Sequence, residues 1–159
     1  MTFDPSQQGQ LFNLVVRGLA FLQDHLLVSR WQGGFCFPIG GRLQHGEGLE
    51  EAVLREFREE TGITASIRKF VYFNENFFVD DAGRAIHELG WYFWVEPERP
   101  VGALGMSTAH PDSPRLSLEY VPVAGLASAG LYPRFLVQFL PEDLAADFEA
   151  APRHVVSTG

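Results

Sequence analysis

Apolar and polar positions fall into alternating blocks along the chain. Leu11–Leu22 is apolar and β-branched, enough for one or two strands with Val15 and Val16 at the centre. Gln23-Asp24-His25 reads as a turn and Leu26–Arg30 as the returning strand, followed by a loop over Trp31–Gly34. Phe35–Ile39 is a short strand that Gly40-Gly41 is expected to end. From about Gly48 to Thr61 the apolar positions recur every three or four residues, which predicts a helix closed by a left-handed Gly62 with Ile63 packed behind it. Ile67–Asn74 and Asn76–Val79 are strand-like, Asp80-Asp81-Ala82-Gly83 is a turn, and Ile86–Glu96 is a strand dense in aromatics. These three predict a hairpin. Pro97–Pro114 is a Pro-, Gly- and Ser-rich loop, and Leu116–Val123 is a last strand. Tyr132–Leu140 and Pro141–Ala150 read as two helices with Pro141 at a helix start. Met1–Gln10 and the tail after Pro152 read as loosely ordered. The order of elements fits an α+β domain, a mixed sheet between helices.

The helix carries the first chemical signal. Leu49, Ala52, Val53, Glu56 and Glu60 lie on one stripe, so carboxylates continue an apolar face. Glu56, Glu59 and Glu60 are three or four residues apart and are expected to point the same way, toward the protein. Partly buried carboxylates need cations or hydrogen bonds. An oxygen-seeking divalent ion such as Mg²⁺ meets that need. A structural ion-pair cluster with Arg42, Arg55 or Arg58 is the alternative that also meets it.

The stretch Gly41–Ile63, GRLQHGEGLEEAVLREFREETGI, resembles the Nudix box, G-x5-E-x7-R-E-U-x-E-E-x-G-U with U a bulky apolar residue. Gly41, Glu47, Arg55, Glu56, Phe57, Glu59, Glu60, Gly62 and Ile63 fall in register, Phe57 being an aromatic at an aliphatic position. The resemblance implies an α/β/α sandwich, one domain over 1–159 with its core at about 11–140. It also implies a metal-dependent hydrolase (MutT-like) that cuts the pyrophosphate of a nucleoside diphosphate linked to another moiety, of the nucleotide-sugar, ADP-ribose or nucleoside triphosphate class. Glu56, Glu59 and Glu60 would then ligate Mg²⁺, or Mn²⁺, and Glu56 or Glu59 would take the proton of the attacking water. The carbonyl of Gly40 is a further ligand by family position. Gly41 lets the backbone approach metal or phosphate. Arg55 either orients Glu47 or Glu56 or touches substrate, and Glu47 is a loop brace or a ligand. Many relatives have proline directly before the glycine pair, whereas here Ile39 separates Pro38 from Gly40, which is expected to shift the loop locally.

Some relatives use an acid outside the box. Glu88, beside His87 at the start of the aromatic strand, is the first choice, ahead of Asp112 and Glu119. Gly41, Glu88 and His87 are placed on the substrate side, His87 toward phosphate. An ordinary paired role for Glu88 and a plain hydrogen-bonded role for His87 stay open. One or two of Phe77, Phe78, Trp91, Tyr92, Phe93 and Trp94, or Trp31 and Phe35, would line a base pocket, the rest being core. No proline lies between Pro38 and Pro97 and no tyrosine between Tyr72 and Tyr92, so neither an ADP-ribose nor a dinucleoside polyphosphate subclass is favoured.

Composition narrows the partners. The net charge of −8 argues against a nucleic-acid polymer, whose binders carry basic surfaces. A small nucleotide-like diphosphate remains compatible, because bound metal inverts the local field. Cys36 is the lone cysteine and sits between Phe35 and Phe37, a buried strand thiol or a nucleophile, and no intrachain disulfide can form. Nothing in the pattern reads as a secretion signal or a membrane span, so a cytoplasmic setting is the default. Homodimers are common in the family. A nucleotide-binding regulatory module without turnover, or a hydrolase of non-nucleotide phosphates or an isomerase on the same fold, are the alternatives.

Overall fold

A computed structural model describes residues 9–32 and 34–159. The loose start expected for Met1–Gln10 lies mostly outside these residues, as does Gly33 of the Trp31–Gly34 loop. The strands are β1 (Gln10–Leu19), β2 (Phe21–Leu22), β3 (His25–Trp31), β4 (Cys36–Arg42), β5 (Ala65–Val79), β6 (Ala85–Pro97), β7 (Thr108–Ala109), β8 (Leu116–Pro122) and β9 (Arg153–Thr158). The helices are α1 (Leu49–Thr61), the single-turn α2 (Leu126–Ala129) and α3 (Phe135–Ala145). Sheet order is β7-β8-β3-β4-β1-β6-β5-β9, with β2 paired to β3. The β1–β6 and β5–β9 pairings are parallel and the others antiparallel, so the sheet is mixed.

Alternation along the central strands gives the sheet two apolar faces. Ala52, Val53 and Phe57 of α1 pack with Val16, Ile39, Phe93 and Val95 on one face. Phe135, Leu136 and Leu140 of α3 pack with Leu19, Tyr72 and Tyr92 on the other. Tyr92 and Phe93 are neighbours in sequence and enter opposite cores, as period-two side chains must. This is the sandwich of helices about a mixed sheet. No helix among the described residues is long and apolar enough to cross a membrane.

Four sequence expectations change. Strand β4 does not end at Gly40-Gly41 but runs to Arg42, pairing Gly41 with Val16 and Gly40 with Arg17. The glycines serve close approach: a Cβ on Gly40 would stand 2.0 Å from the Val16 carbonyl oxygen. The two strands expected over Ile67–Val79 are the single β5, which carries register irregularities instead of a break. Pro141 starts no second helix and lies inside α3. An internal proline costs about 3 kcal/mol. Burial of Phe135, Leu136 and Leu140, at roughly 1.5–3 kcal/mol each, outweighs it. The tail after Pro152 is not frayed. It forms β9 along Tyr72–Phe77, held by the Asn74 side-chain amide donating to the Val155 carbonyl at 3.1 Å and by Arg153 on buried Asp143 at 2.6 Å.

Candidate active site

Two backbone features set the position of the acidic end of α1. The Gly48 N–H donates to the Glu51 carboxylate at 2.8 Å and opens the helix. At the other end Gly62 adopts φ 72° and its N–H returns to the Arg58 carbonyl at 2.8 Å. The last turn therefore lies against β4 and β1, and its carboxylates meet the glycine pair. The Glu56 carboxyl carbon fills the space where a Gly41 Cβ would be, 2.5 Å from that point. The Gly40 amide also bears on Glu60, favouring its charged form.

The three glutamates are not equivalent. The Glu56 and Glu60 side chains are 15% and 11% exposed, so both face the protein as expected. Glu59 is 55% exposed and departs from the shared orientation expected of the trio. One helical turn separates Glu56 from Glu60, whereas Glu59 is rotated toward the rim.

Arg55 is the organiser. Its Nε and Nη2 donate to the two Glu47 oxygens at 2.9 and 2.7 Å, a fork on a carboxylate. Its Nη1 donates to Glu56 at 2.8 Å and to Glu59 at 3.2 Å, and Nη2 also reaches the Arg42 carbonyl at 3.3 Å. Glu47 takes the Gln44 N–H at 2.8 Å as well. The Arg55 guanidinium holds the Glu47 carboxyl down to about 2. These bonds tie Glu47 to the loop backbone and couple Arg55 to both Glu47 and Glu56. The ion-pair cluster forms around Arg55, which serves Glu47, Glu56 and Glu59 and does not reach Glu60.

Glu60 is the group left wanting positive charge. Burial pushes its carboxyl up to about 8, with nearby Glu56 and Asp112 adding to the rise and Arg17 and the Gly40 amide opposing it. Its Oε2 is buried with no hydrogen-bond partner among the described residues. The loop 98–115 brings His110 and Asp112 beside it, ligand atoms of the three lying within 4.8 Å of one another. Clustered carboxylates with an unpartnered buried oxygen form a donor set that fits a hard divalent cation.

The acids outside the box separate. Asp112 lies near Glu60 but is exposed at the rim. Glu119 is paired with Arg30, which also donates to the Gly34 and Ala129 carbonyls, so it serves structure. Glu88 accepts from Asn13 at 2.6 Å and lines a cleft of about 530 Å³ with Arg17, Phe35, Phe37, Asn76 and Tyr132. His87 points to the other face of β6 and is not brought to the cleft. It stacks on Phe77 at 4.2 Å, with Phe12 tilted against it at 4.9 Å, and lies 3.5 Å from Glu75. Trp91, Tyr92, Phe93 and Trp94 are absent from the cleft lining, where Phe78 joins Phe35 and Phe37.

Arg17 was missed by sequence reasoning, although a lone charge inside LVVRGLA is a readable signal. Its Nη1 donates to the Pro38 carbonyl at 3.2 Å, its guanidinium lies 5.7 Å from the Phe37 ring centre, and its charge is felt at Glu60. It links cleft and carboxylates. His110 was also missed, and nothing in a Pro- and Ser-rich loop marks it.

Comparison with known proteins agrees with this geometry. The NUDIX domain profile matches residues 12–134. No curated protein sequence matches the chain. Among solved structures, a NUDIX hydrolase from Nitrosomonas europaea is similar with a TM-score of 0.65 at 12% identity, over 92% of this chain and 79% of that one. A MutT protein from Bacillus halodurans gives 0.57 at 20% identity, over 80% and 81%. An ADP-ribose pyrophosphatase from Streptococcus suis gives 0.55 at 15% identity, over 91% and 98%. These likenesses show a shared fold. With the profile spanning most of the sequence and the box in register on α1, the chain belongs to the Nudix hydrolase family.

Proposed function

We propose that this protein is a divalent-cation-dependent pyrophosphohydrolase acting on a nucleoside diphosphate linked to a further group. The observation that carries the reading is the largely buried pair Glu56 and Glu60, Glu56 seated on Gly41, with one Glu60 oxygen unpartnered among the described residues. Glu56, Glu59, Glu60 and the Gly40 carbonyl would hold Mg²⁺ or Mn²⁺. The bound cation supplies charge neutralisation at the pyrophosphate and acidification of the attacking water. The chain supplies the rest. Arg55 fixes Glu56 through a 2.8 Å bond, whereas Glu59 has only a longer 3.2 Å bond and more solvent. Glu59 is the less committed carboxylate and the better placed to accept the water's proton, a role worth roughly 10²–10⁴-fold.

The cleft supports a nucleoside-bearing substrate. Phe35, Phe37 and Tyr132 offer ring faces, and Asn76 and Glu88 offer polar groups to a base or ribose. Arg17 stands between these and Glu60, where a diphosphate would lie. One of the similar structures is named for ADP-ribose, and that compound heads the panel for testing. Buried Cys36, its thiol pushed up by burial, suits a reducing, cytoplasmic setting.

The test is turnover of nucleotide sugars, ADP-ribose-like compounds and nucleoside triphosphates with Mg²⁺ or Mn²⁺, followed by phosphorus NMR. Cleavage of the anhydride, abolished in Glu56→Gln, is expected. Tight binding without product would favour a regulatory module. Products formed with the anhydride intact would favour an isomerase.

A further inference from the structure

His110 stands out among buried polar side chains. It is 2% exposed, and its Nδ1 accepts the Asp112 backbone N–H at 3.1 Å. A neutral imidazole that accepts at Nδ1 carries its proton on Nε2. That Nε2 has no partner among the described residues. It lies 3.8 Å from Glu60 Oε2, which is buried and unpartnered too. Two buried polar atoms facing each other without a bond call for an explanation.

One explanation is a cation held jointly by Glu60, His110 and Asp112. It requires the lone pair of Nε2, and so moves the imidazole proton to Nδ1. There it would meet the Asp112 N–H, donor against donor. The other explanation keeps every hydrogen bond. The Nε2–H points at the Glu60 carboxylate, and the gap exceeds a normal hydrogen bond by about 1 Å. A small inward settling of loop 98–115 closes it.

We propose that His110 is a positioning residue, whose Nε2–H, fixed by the Asp112 amide, grips one oxygen of Glu60 and sets the rotation of that carboxylate for the cation. The inference rests on reading the acidic end of α1 as a metal site. It makes the loop after β6 a part of that site through a backbone amide and an imidazole, with the Asp112 carboxylate outside it. Glu56, Arg17 and Asp112 are the other charges around Glu60, and none of them gives Oε2 a hydrogen bond.

Mn²⁺ binding to the full chain, followed by the electron paramagnetic resonance of the free ion, is the first measurement. His110→Leu is expected to weaken binding by about tenfold, the usual effect of removing a group that orients a metal ligand. His110→Gln, which keeps an N–H near the Nε2 position, is expected to restore most of the affinity and covers the case in which His110→Leu fails to fold. Asp112→Ala is expected to bind as wild type. The second measurement is the ¹⁵N NMR of the imidazole in metal-free protein, where Nδ1 should resonate as an acceptor nitrogen and Nε2 as an N–H. Wild-type affinity in a folded His110→Leu, failure of rescue by His110→Gln, an Asp112→Ala as weak as His110→Leu, or the opposite tautomer would each overturn the proposal. Absence of Mn²⁺ binding by wild type would overturn the metal-site reading instead, and the tautomer would still decide whether His110 presents an N–H to Glu60.

Discussion

Glu60 should make the metal-free protein weaker as pH rises. In the folded chain its carboxyl stays protonated up to about 8, against an ordinary value of 4.5. Between those values the folded state binds one proton more than the unfolded state, so stability falls with rising pH. Over the whole interval the loss is on the order of 5 kcal/mol, and each pH step near neutrality costs ~1 kcal/mol. His110 runs the other way, because burial depresses its value below 6.5. Its contribution is complete above that value and is lost only as pH falls, so the window from about pH 6.5 to about pH 8 isolates Glu60. The assay is urea unfolding in the presence of a chelator at several pH values across that window, on wild type and on Glu60→Gln. A falling profile for wild type and a flat one for the variant are expected. Saturating Mg²⁺ should flatten the wild-type profile as well, with release of a proton on binding. A wild-type slope absent, or equally steep in Glu60→Gln, would refute the reasoning that burial raises the Glu60 carboxyl.

The glycine pair separates stability from function. Gly41→Ala puts a Cβ 2.5 Å from the Glu56 carboxyl, a movable side-chain end, so Mn²⁺ affinity should drop about tenfold while the melting temperature barely moves. Gly40→Ala meets the Val16 carbonyl at 2.0 Å and should lower stability by about 1–3 kcal/mol in denaturant titration. Arg55→Lys loses the fork on Glu47 and should lower kcat at least tenfold with the fold intact by circular dichroism, since a single ammonium cannot hold Glu47 and Glu56 together. Asp143→Ala strands the Tyr72 hydroxyl that donates to it at 2.7 Å and should cost about 1–3 kcal/mol; adding Tyr72→Phe should recover part of that loss.

Much of this was legible because local patterns carried it. The 3.6-residue stripe and the left-handed glycine located α1 within a residue, and the box spacing named its carboxylates. The aromatic alternation gave β6 and its hairpin. What escaped reading depends on partners distant in sequence. The Gly40-Gly41 pair is punctuation when seen locally, but a β1 carbonyl and a helix carboxylate demand it as strand. Pro141 is a helix start by local rule, and the core it packs against overrides that rule. The strand character of Arg153–Thr158 is supplied by Asn74, Asp143 and the edge of β5. His110 came to Glu60 through a loop whose composition says only that it is a loop. Glu59 shows the limit of spacing: residue spacing along a helix sets a side chain's azimuth, but the neighbouring elements decide which azimuth is dry.

The parallel union of β1 with β6 has a consequence for how the chain comes into being. Val15 lies beside Gly90, so the central strand waits for a segment made some seventy residues later. Until then the box helix has only half of its seat, β1 and β4 without β5 and β6. Loop closure over such a span is slow, and a nascent or truncated product ending before β6 would expose the apolar stripe of α1 together with a bare strand edge. The motif that identifies the family is accordingly not a portable cassette: excised from its late-arriving neighbour, it should be a sticky, metal-blind peptide.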